Sequence, residues 1–227
     1  MSLLTISGLQ KSFAGPAGDT TRIIDIDTFE LAPETHLALR GRSGSGKTTF
    51  LHLIAGILPA DAGSICFDGI ELSQLSEARR DRVRATNIGY IFQTFNLLQG
   101  YTALENVLLG MAFSPGGIDR KRAVAMLDRV GLSDRLSHRP RELSTGQQQR
   151  VAVARALAKR PRLVLADEPT GNLDRRNADN TLSLIREVCT EDPTALLLVS
   201  HDDAVLAEFP EVVDFSALNP SAMPTQP

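Results

Sequence analysis

The stretch GRSGSGKT, Gly41 to Thr48, constrains the fold of this chain more than any other. It has the spacing G-x-x-x-x-G-K-[ST] and lies between a short apolar run, THLALRG, and an apolar-periodic segment, TTFLHLIAGI. Glycine tolerates left-handed backbone, so successive N–H groups there curl around an oxyanion. The helix that follows adds the positive end of its dipole. The pattern therefore predicts a strand, an anion-binding loop and a helix, the opening of an α/β fold. It places Gly41, Arg42, Ser43, Gly44, Ser45, Gly46, Lys47, Thr48 and Thr49 around the phosphates of a nucleotide. Lys47 reaches the β/γ-phosphates as a point charge, and the Thr48 hydroxyl ligates Mg²⁺.

A phosphate loop hydrolyses nothing by itself. LVLADEP is an apolar run that carries Asp167 and Glu168 to its C-terminal end, where ligands sit in open α/β sheets. Asp167 is the candidate for the Mg²⁺ shell, through water, and Glu168 the candidate general base for an attacking water. Taken alone, the pair also reads as solvated carboxylates after a core strand. Gln93 closes IGYIFQ and His201 follows TALLLVS. Either residue alone is more often structural. At the ends of neighbouring strands both face a γ-phosphate: Gln93 toward Mg²⁺ or water, His201 toward the phosphate or the base.

The rest of the composition narrows the class. The 227 residues are 42% hydrophobic, enough for one large domain, and the formal net charge of −3 gives no footprint for DNA or RNA. Cys66 and Cys189 lack metal spacing and read as small core residues in a reducing compartment. The N-terminus shows no signal peptide, and no apolar run approaches the roughly 20 residues that span a bilayer. The expected location is cytoplasmic, peripheral at the inner face of the membrane where a partner holds the protein there. Residues 219–227 are rich in Pro and small side chains and predict a frayed tail.

Strands are expected over LLTISGLQ, RIIDIDTFEL, THLALRG, GSICFDG, IGYIFQ, RLVLADEP and TALLLVS, with turn chemistry in FAGPAGDTT. Helical patterning dominates from about Thr102 to Lys159 and returns in RRNADNTLSLIREV and DDAVLAEF. The sum is an α/β core interrupted by a helical insertion over about 95–160, within one domain of residues 1–218.

LSTGQQQRVAVARAL, Leu143 to Leu157, has neither nucleophile nor metal cluster. Ser144 and Gln147 form an S-x-x-Q capping box, so the helix starts at Ser144. Its first N–H groups make a second anion site, although a plain capped helix has the same pattern. The segment resembles the signature of ATP-binding-cassette (ABC) ATPases, usually opening L-S-G-G-Q. The order of the remaining motifs agrees: phosphate loop, Gln93 at the Q-loop, signature, LVLADEP, GNLD at Gly171 to Asp174, and His201 as the switch histidine.

The resemblance implies a P-loop NTPase fold of ABC type, with a RecA-like core, an antiparallel β subdomain and an inserted α-helical subdomain. It implies a head-to-tail homodimer in which Ser144, Thr145, Gly146 and Gln147 of one copy cap ATP on the phosphate loop of the other. Phe13 would stack on adenine, and Asp174 would bridge to the opposite site. TALENV, RPRELS and RLVLADEPTGNLD are similar to the lipoprotein-releasing and macrolide-export branch, and to the cell-division ATPase of similar type. That branch implies an integral membrane permease as partner, with Thr94 to Val107 as its docking surface and export or extraction of hydrophobic or lipidic cargo. Phe95, Leu97, Leu98 and Tyr101 within that surface read equally as local core. The cell-division type implies instead force transmission without transport. Two departures stand out. Thr145 replaces the usual Gly, adding bulk and stiffness near the phosphate, which predicts slower hydrolysis or weaker closure. FPEVVDFSALNP offers one strand and no DGR-like turn, so a shortened C-terminal edge is expected.

Overall fold

The computed structural model describes residues 2–15, 19–114 and 116–220. The elements in chain order are β1 (Leu4–Ala14), β2 (Thr20–Leu31), β3 (His36–Arg40), α1 (Lys47–Ile54), β4 (Ala62–Phe67), β5 (Ile70–Glu71), α2 (Glu77–Asn87), β6 (Ile88–Ile91), α3 (Ala103–Met111), α4 (Arg120–Arg129), α5 (Thr145–Leu157), β7 (Leu163–Asp167), α6 (Arg175–Glu191), β8 (Ala195–Ser200), α7 (Asp203–Leu206), β9 (Glu211–Asp214) and α8 (Phe215–Leu218). The chain forms two compact units. One comprises the residues up to Asp81 together with those from Val199 onward; the other is Arg82–Leu198.

In the first unit an antiparallel sheet has the order β2-β1-β4-β5. Period-two burial along β1, with Leu4 and Ile6 inward, slips by one residue so that Leu9 is the next to be buried. The cause is a bulge against β4: Ser7 pairs with Ser64 but Gln10 with Ala62. Gly8 inside the bulge has φ +57. Opposite it, Gly63 has φ +87, and a Cβ there would stand 2.2 Å from the Gly8 carbonyl oxygen. Two backbones meet where no side chain fits. Asp68 and Gly69, both with positive φ, make the two-residue hairpin turn into β5. β3 pairs with β9 in parallel, Leu37 opposite Glu211. Phe50 of α1 is fully buried between Phe29, edge-on at 5.4 Å, and Phe215 at 5.6 Å.

In the second unit β6, β7 and β8 follow one another across a sheet, with β6 and β7 parallel and Ile88 opposite Leu163. Every residue of β6 and β7 is buried, which is why both read as continuous apolar runs. Helices α3, α4 and α5 intervene between β6 and β7, as the helical patterning predicts. Val151, Ala152, Val153, Ala154, Ala156 and Leu157 bury nearly the whole circumference of α5. Gly110 of α3 lets the two helices touch, since a Cβ there would lie 2.8 Å from the Arg155 carbonyl oxygen. α6 is amphipathic, burying Thr181, Leu182, Ile185, Val188 and Cys189 at helical spacing.

Three expectations change. No apolar period marks a helix over 77–87, yet α2 forms there, in a stretch rich in the helix formers Ala, Arg and Glu. It buries no residue and so has no apolar period to read. Asn219, expected in the tail, is 2% exposed. Its side chain accepts from the Asp25 N–H and donates to the Ile23 carbonyl, both across a long sequence separation. The rest of the expected tail, residues 221–227, lies outside the described residues, as do residues 16–18 of the predicted turn. IGYIFQ is strand only to Ile91; Gln93 sits in the turn beyond it. β9 is the one strand after α7 among the described residues, as the missing turn signal suggests.

Candidate functional site

Among the candidate residues, the first unit carries the phosphate loop, Phe13 and His201. The second carries Gln93, Asp167, Glu168, Ser144–Gln147 and Asp174.

The loop after β3 is shaped by its glycines. Gly44 has φ +76 and Gly46 φ +97. Gly46 is also the N-cap of α1 and offers no side chain to the helix N–H groups. A Cβ on Gly46 would press on Ile23, 3.0 Å from its Cγ2, so β2 holds the loop from behind. The first turn of α1 contains no acidic residue, which leaves its N–H groups and dipole for an anion. Lys47 is 6% exposed, and its Nζ donates to the carbonyls of Gly41 at 2.6 Å and Arg42 at 2.8 Å. The buried ammonium thus folds onto its own loop, the position from which it can serve phosphate oxygens. Ser45 Oγ is buried with no hydrogen-bond partner among the described residues. An anion in the loop would supply one. Phe13, near the end of β1, is 42% exposed with the Lys11 ammonium 5.7 Å from its ring centroid. That leaves a partly open aromatic surface suited to a base. His201 is exposed directly after β8.

In the second unit Asp167 is the last residue of β7 and 4% exposed. Tyr90 lies close to it: burial, then the Asp167 charge, push the phenol far above its ordinary pKa. Glu168 has φ +44, a left-handed conformation that costs a non-glycine residue about 1–2 kcal/mol. Strain of this kind is kept where a side chain must point in one direction. The Gly171 N–H donates to the Glu168 carbonyl, closing the turn after it. Gln149 of α5 donates to the Pro169 carbonyl at 2.7 Å, so the helix that starts at Ser144 also braces the carboxylate turn.

Ser144 caps α5 through a complete capping box. Its hydroxyl accepts from the Gln147 N–H, and the Gln147 side chain accepts from the Ser144 N–H at 3.0 Å. Thr145 is exposed at the first helical position. Asp174 caps α6 and accepts from the backbone and side chain of Asn177, which hold its carboxyl below the usual range. Asn177 in turn accepts from Arg150 of α5 at 3.3 Å and stands 3.6 Å from where a Cβ of Gly146 would lie. The structure therefore brings Asp174 and the start of α5 together through one asparagine.

Several of these residues were missed by sequence reasoning. Asn106 is 1% exposed and holds the segment before α3: it accepts from the Leu98 N–H and donates to the Leu98, Tyr101 and Thr102 carbonyls. Arg155 and Asn172 reach the Gln93 turn, and Gln149 and Asn177 link α5 to its neighbours. For Asn106 and Gln149 the local hint is polarity at positions that a helical period makes apolar. Of the four residues that read as either docking surface or core, Leu97 is buried, Phe95 half-buried, and Leu98 and Tyr101 are exposed at 50% and 46%.

The first unit offers the Thr48 hydroxyl, and the second offers the Gln93 amide oxygen and the Asp167 carboxylate; each is a hard oxygen donor of the kind that suits Mg²⁺. No cluster of three His, Cys, Asp or Glu capable of holding a metal occurs among the described residues.

Comparison with known proteins agrees with this geometry. A family model described as ABC transporter matches residues 24–171. The chain is 44% identical over 211 residues to the lipoprotein-releasing system ATP-binding protein LolD 2 of Rhodopirellula baltica, covering 89% of this chain and 82% of that protein. It is 41% identical to LolD of Pseudomonas syringae pv. tomato, covering 93% and 94%. Among solved structures, the dimeric post-hydrolysis state of the ATP-binding cassette MJ0796 bound to ADP and Pi superposes with a TM-score of 0.88 at 30% identity, covering 98% and 97% of the two chains. A second dimeric structure of the same bacterial ABC transporter cassette gives 0.86 at 32%, covering 93% of each.

Proposed function

Since the chain belongs to the ABC transporter family and is an ATPase of that family, we propose that it works as a homodimeric clamp that closes on two Mg-ATP and drives a membrane permease. The observation that carries this reading is the pair of anion-ready helix starts in one chain: the uncapped start of α1 after Gly46 and the capped start of α5 at Ser144. One nucleotide per chain leaves the second without a task. A nucleotide on the loop of one copy and the α5 start of its partner uses both.

The roles follow from side-chain chemistry. The glycine-shaped loop and Lys47 bind the phosphates, and Phe13 stacks on the base. Thr48, Gln93 and Asp167 would hold Mg²⁺, which neutralises phosphate charge when bound. Glu168 accepts a proton from the attacking water, and His201 hydrogen-bonds the γ-phosphate. Ser144, Thr145, Gly146 and Gln147 serve the partner's nucleotide, and Asp174 reaches across the dimer. Closure is favoured because the γ-phosphate is contacted from both sides only in the closed pair, which is the differential affinity that shifts an equilibrium. Losing that phosphate reopens it.

The two LolD relatives are named for lipoprotein release, and the same cargo class, a lipidated protein, is the reading for this chain. No helix among the described residues is long and apolar enough to cross a membrane. The membrane part is assigned to a permease, as the transporter family and the LolD relatives suggest, docked on Thr94 to Val107 where Leu98 and Tyr101 are exposed. The location is cytoplasmic, at the inner face of the membrane.

The test is Glu168→Gln, which keeps the side-chain shape and removes the base. Sedimentation with Mg-ATP is expected to show stable dimers, and with Mg-ADP single chains. Single chains in both nucleotides, even with the cognate permease present, overturn the clamp.

A further inference from the structure

The turn that carries Gln93 is held from two directions by residues with no assigned role. Gln93 to Asn96 leave β6 through two consecutive non-glycine residues in left-handed conformation, Phe95 at φ +58 and Asn96 at φ +48. Each such residue costs about 1–2 kcal/mol, so the turn needs outside support. Its local bonds are three: the Phe95 N–H donates to the Phe92 carbonyl, the Asn96 N–H to the Thr94 carbonyl, and the Thr94 hydroxyl to the Asn96 side chain.

The support comes from Arg155 on α5. One guanidinium nitrogen donates to the Phe95 carbonyl at 2.7 Å and another to the Asn96 carbonyl at 2.5 Å. Arg155 is half-buried, and desolvation pushes its guanidinium down to about 10. It stays charged at neutral pH, and its planar fork is pre-organised for two adjacent carbonyls, so less side-chain freedom is lost per bond than with a lysine ammonium. Its stem is pinned from the other side by Gly110, whose absent Cβ would lie 2.7 Å from Arg155 Cγ. From the segment after Glu168, the Asn172 side chain donates to the Gln93 carbonyl at 2.8 Å. Three carbonyls in four residues are thus tied to two other elements of the same unit: the helix that begins at Ser144 and the turn that begins at Glu168.

We propose that Arg155 and Asn172 are positioning residues that hold Gln93 in its hydrolysis-competent place. Both residues act on Gln93 through backbone carbonyls. ATP binding is carried by the phosphate loop and Lys47 in the proposed function, so the effect is expected to fall on turnover more than on binding. The proposal rests on the reading that Gln93 takes part in ATP hydrolysis.

The experiment is a double-mutant cycle on the full chain with Mg-ATP, using Arg155→Met, Arg155→Lys, Asn172→Leu, Gln93→Ala and the Arg155→Met/Gln93→Ala pair. Arg155→Met is expected to lower kcat about tenfold with KM within about twofold, and Arg155→Lys to recover only part of it. Asn172→Leu, at an exposed position, tests the second tie without touching the packing of α5. It is expected to lower kcat several-fold in the same manner. Hydrogen exchange over 93–97 rises in both variants, while the melting temperature of Asn172→Leu stays at the wild-type value. The decisive result is the pair: it is expected to be no slower than Gln93→Ala alone, because residues acting through one another are not additive. Multiplied defects in the pair, or exchange at 93–97 that does not change, overturn the positioning role. Wild-type kcat in Gln93→Ala overturns instead the reading that Gln93 serves hydrolysis, and the exchange measurement then still decides whether Arg155 and Asn172 hold the turn.

Discussion

Replacing Gly63 by Ala places a methyl group into a space occupied by backbone, and the structure lets the cost be worked out against a built-in control. At Gly63 the added Cβ would lie 2.2 Å from the Gly8 carbonyl oxygen, 2.4 Å from the Gly8 carbonyl carbon and 2.7 Å from Leu9 Cα. None of these atoms is the end of a flexible side chain, so β1 and β4 must separate. Overpacking of this kind costs about 1–3 kcal/mol, and the left-handed backbone at φ +87 adds about 1–2. The expected loss is about 2–5 kcal/mol. Gly8, at φ +57, has nothing within 4 Å of its hypothetical Cβ. Gly8→Ala therefore carries the conformational cost alone, about 1–2 kcal/mol. Urea denaturation followed by circular dichroism, with each variant compared at equal m-value, reads the difference. Destabilisation by the two variants equal within about 0.5 kcal/mol would refute the claim that backbone crowding at Gly63 adds a cost beyond its left-handed conformation.

Lys47→Ala is expected to abolish measurable binding of a fluorescent ATP analogue, because no other buried ammonium faces the Gly41 and Arg42 carbonyls among the described residues. Thr145→Gly is expected to raise the ATPase rate of the dimer by a few-fold; an unchanged rate removes Thr145 as the cause of slow turnover. Ser144→Ala deletes the cap of α5 and is expected to cost about 1 kcal/mol in urea stability, and Ser144→Asp, which restores an acceptor, to recover most of it while weakening ATP-dependent dimerisation through charge. Lys159 donates to the Arg84 and Ala85 carbonyls, and desolvation lowers its pKa to about 8 from an ordinary 10.5. Between those values the unfolded chain binds more protons than the folded one. Its contribution therefore stabilises increasingly as pH rises from about 8 to about 10. Comparing urea midpoints at pH 8 and pH 10 for wild type and Lys159→Met isolates the contribution, and an identical pH slope in both counts against it.

Short-range chemistry was legible in the sequence. The phosphate loop is a spacing of glycines, a lysine and a hydroxyl within eight residues. The capping box at Ser144 closes over three, and β7 and β8 announce themselves as unbroken apolar runs because both their faces are covered. Such signals survive in one dimension because the partners are neighbours along the chain. What α2 does was not legible, since a helix with no buried face has no apolar period. Tertiary structure alone decided that Asn219 is anchored under Asp25, 194 residues away, and that Gly63 meets the bulge at Gly8. It alone placed Arg155 on carbonyls 59 and 60 positions distant, and Asn172 on Gln93, 79 away. The physical reason is common to all four. Each partner is a backbone group, which every residue type possesses, so nothing in the amino-acid string distinguishes the one that will be met.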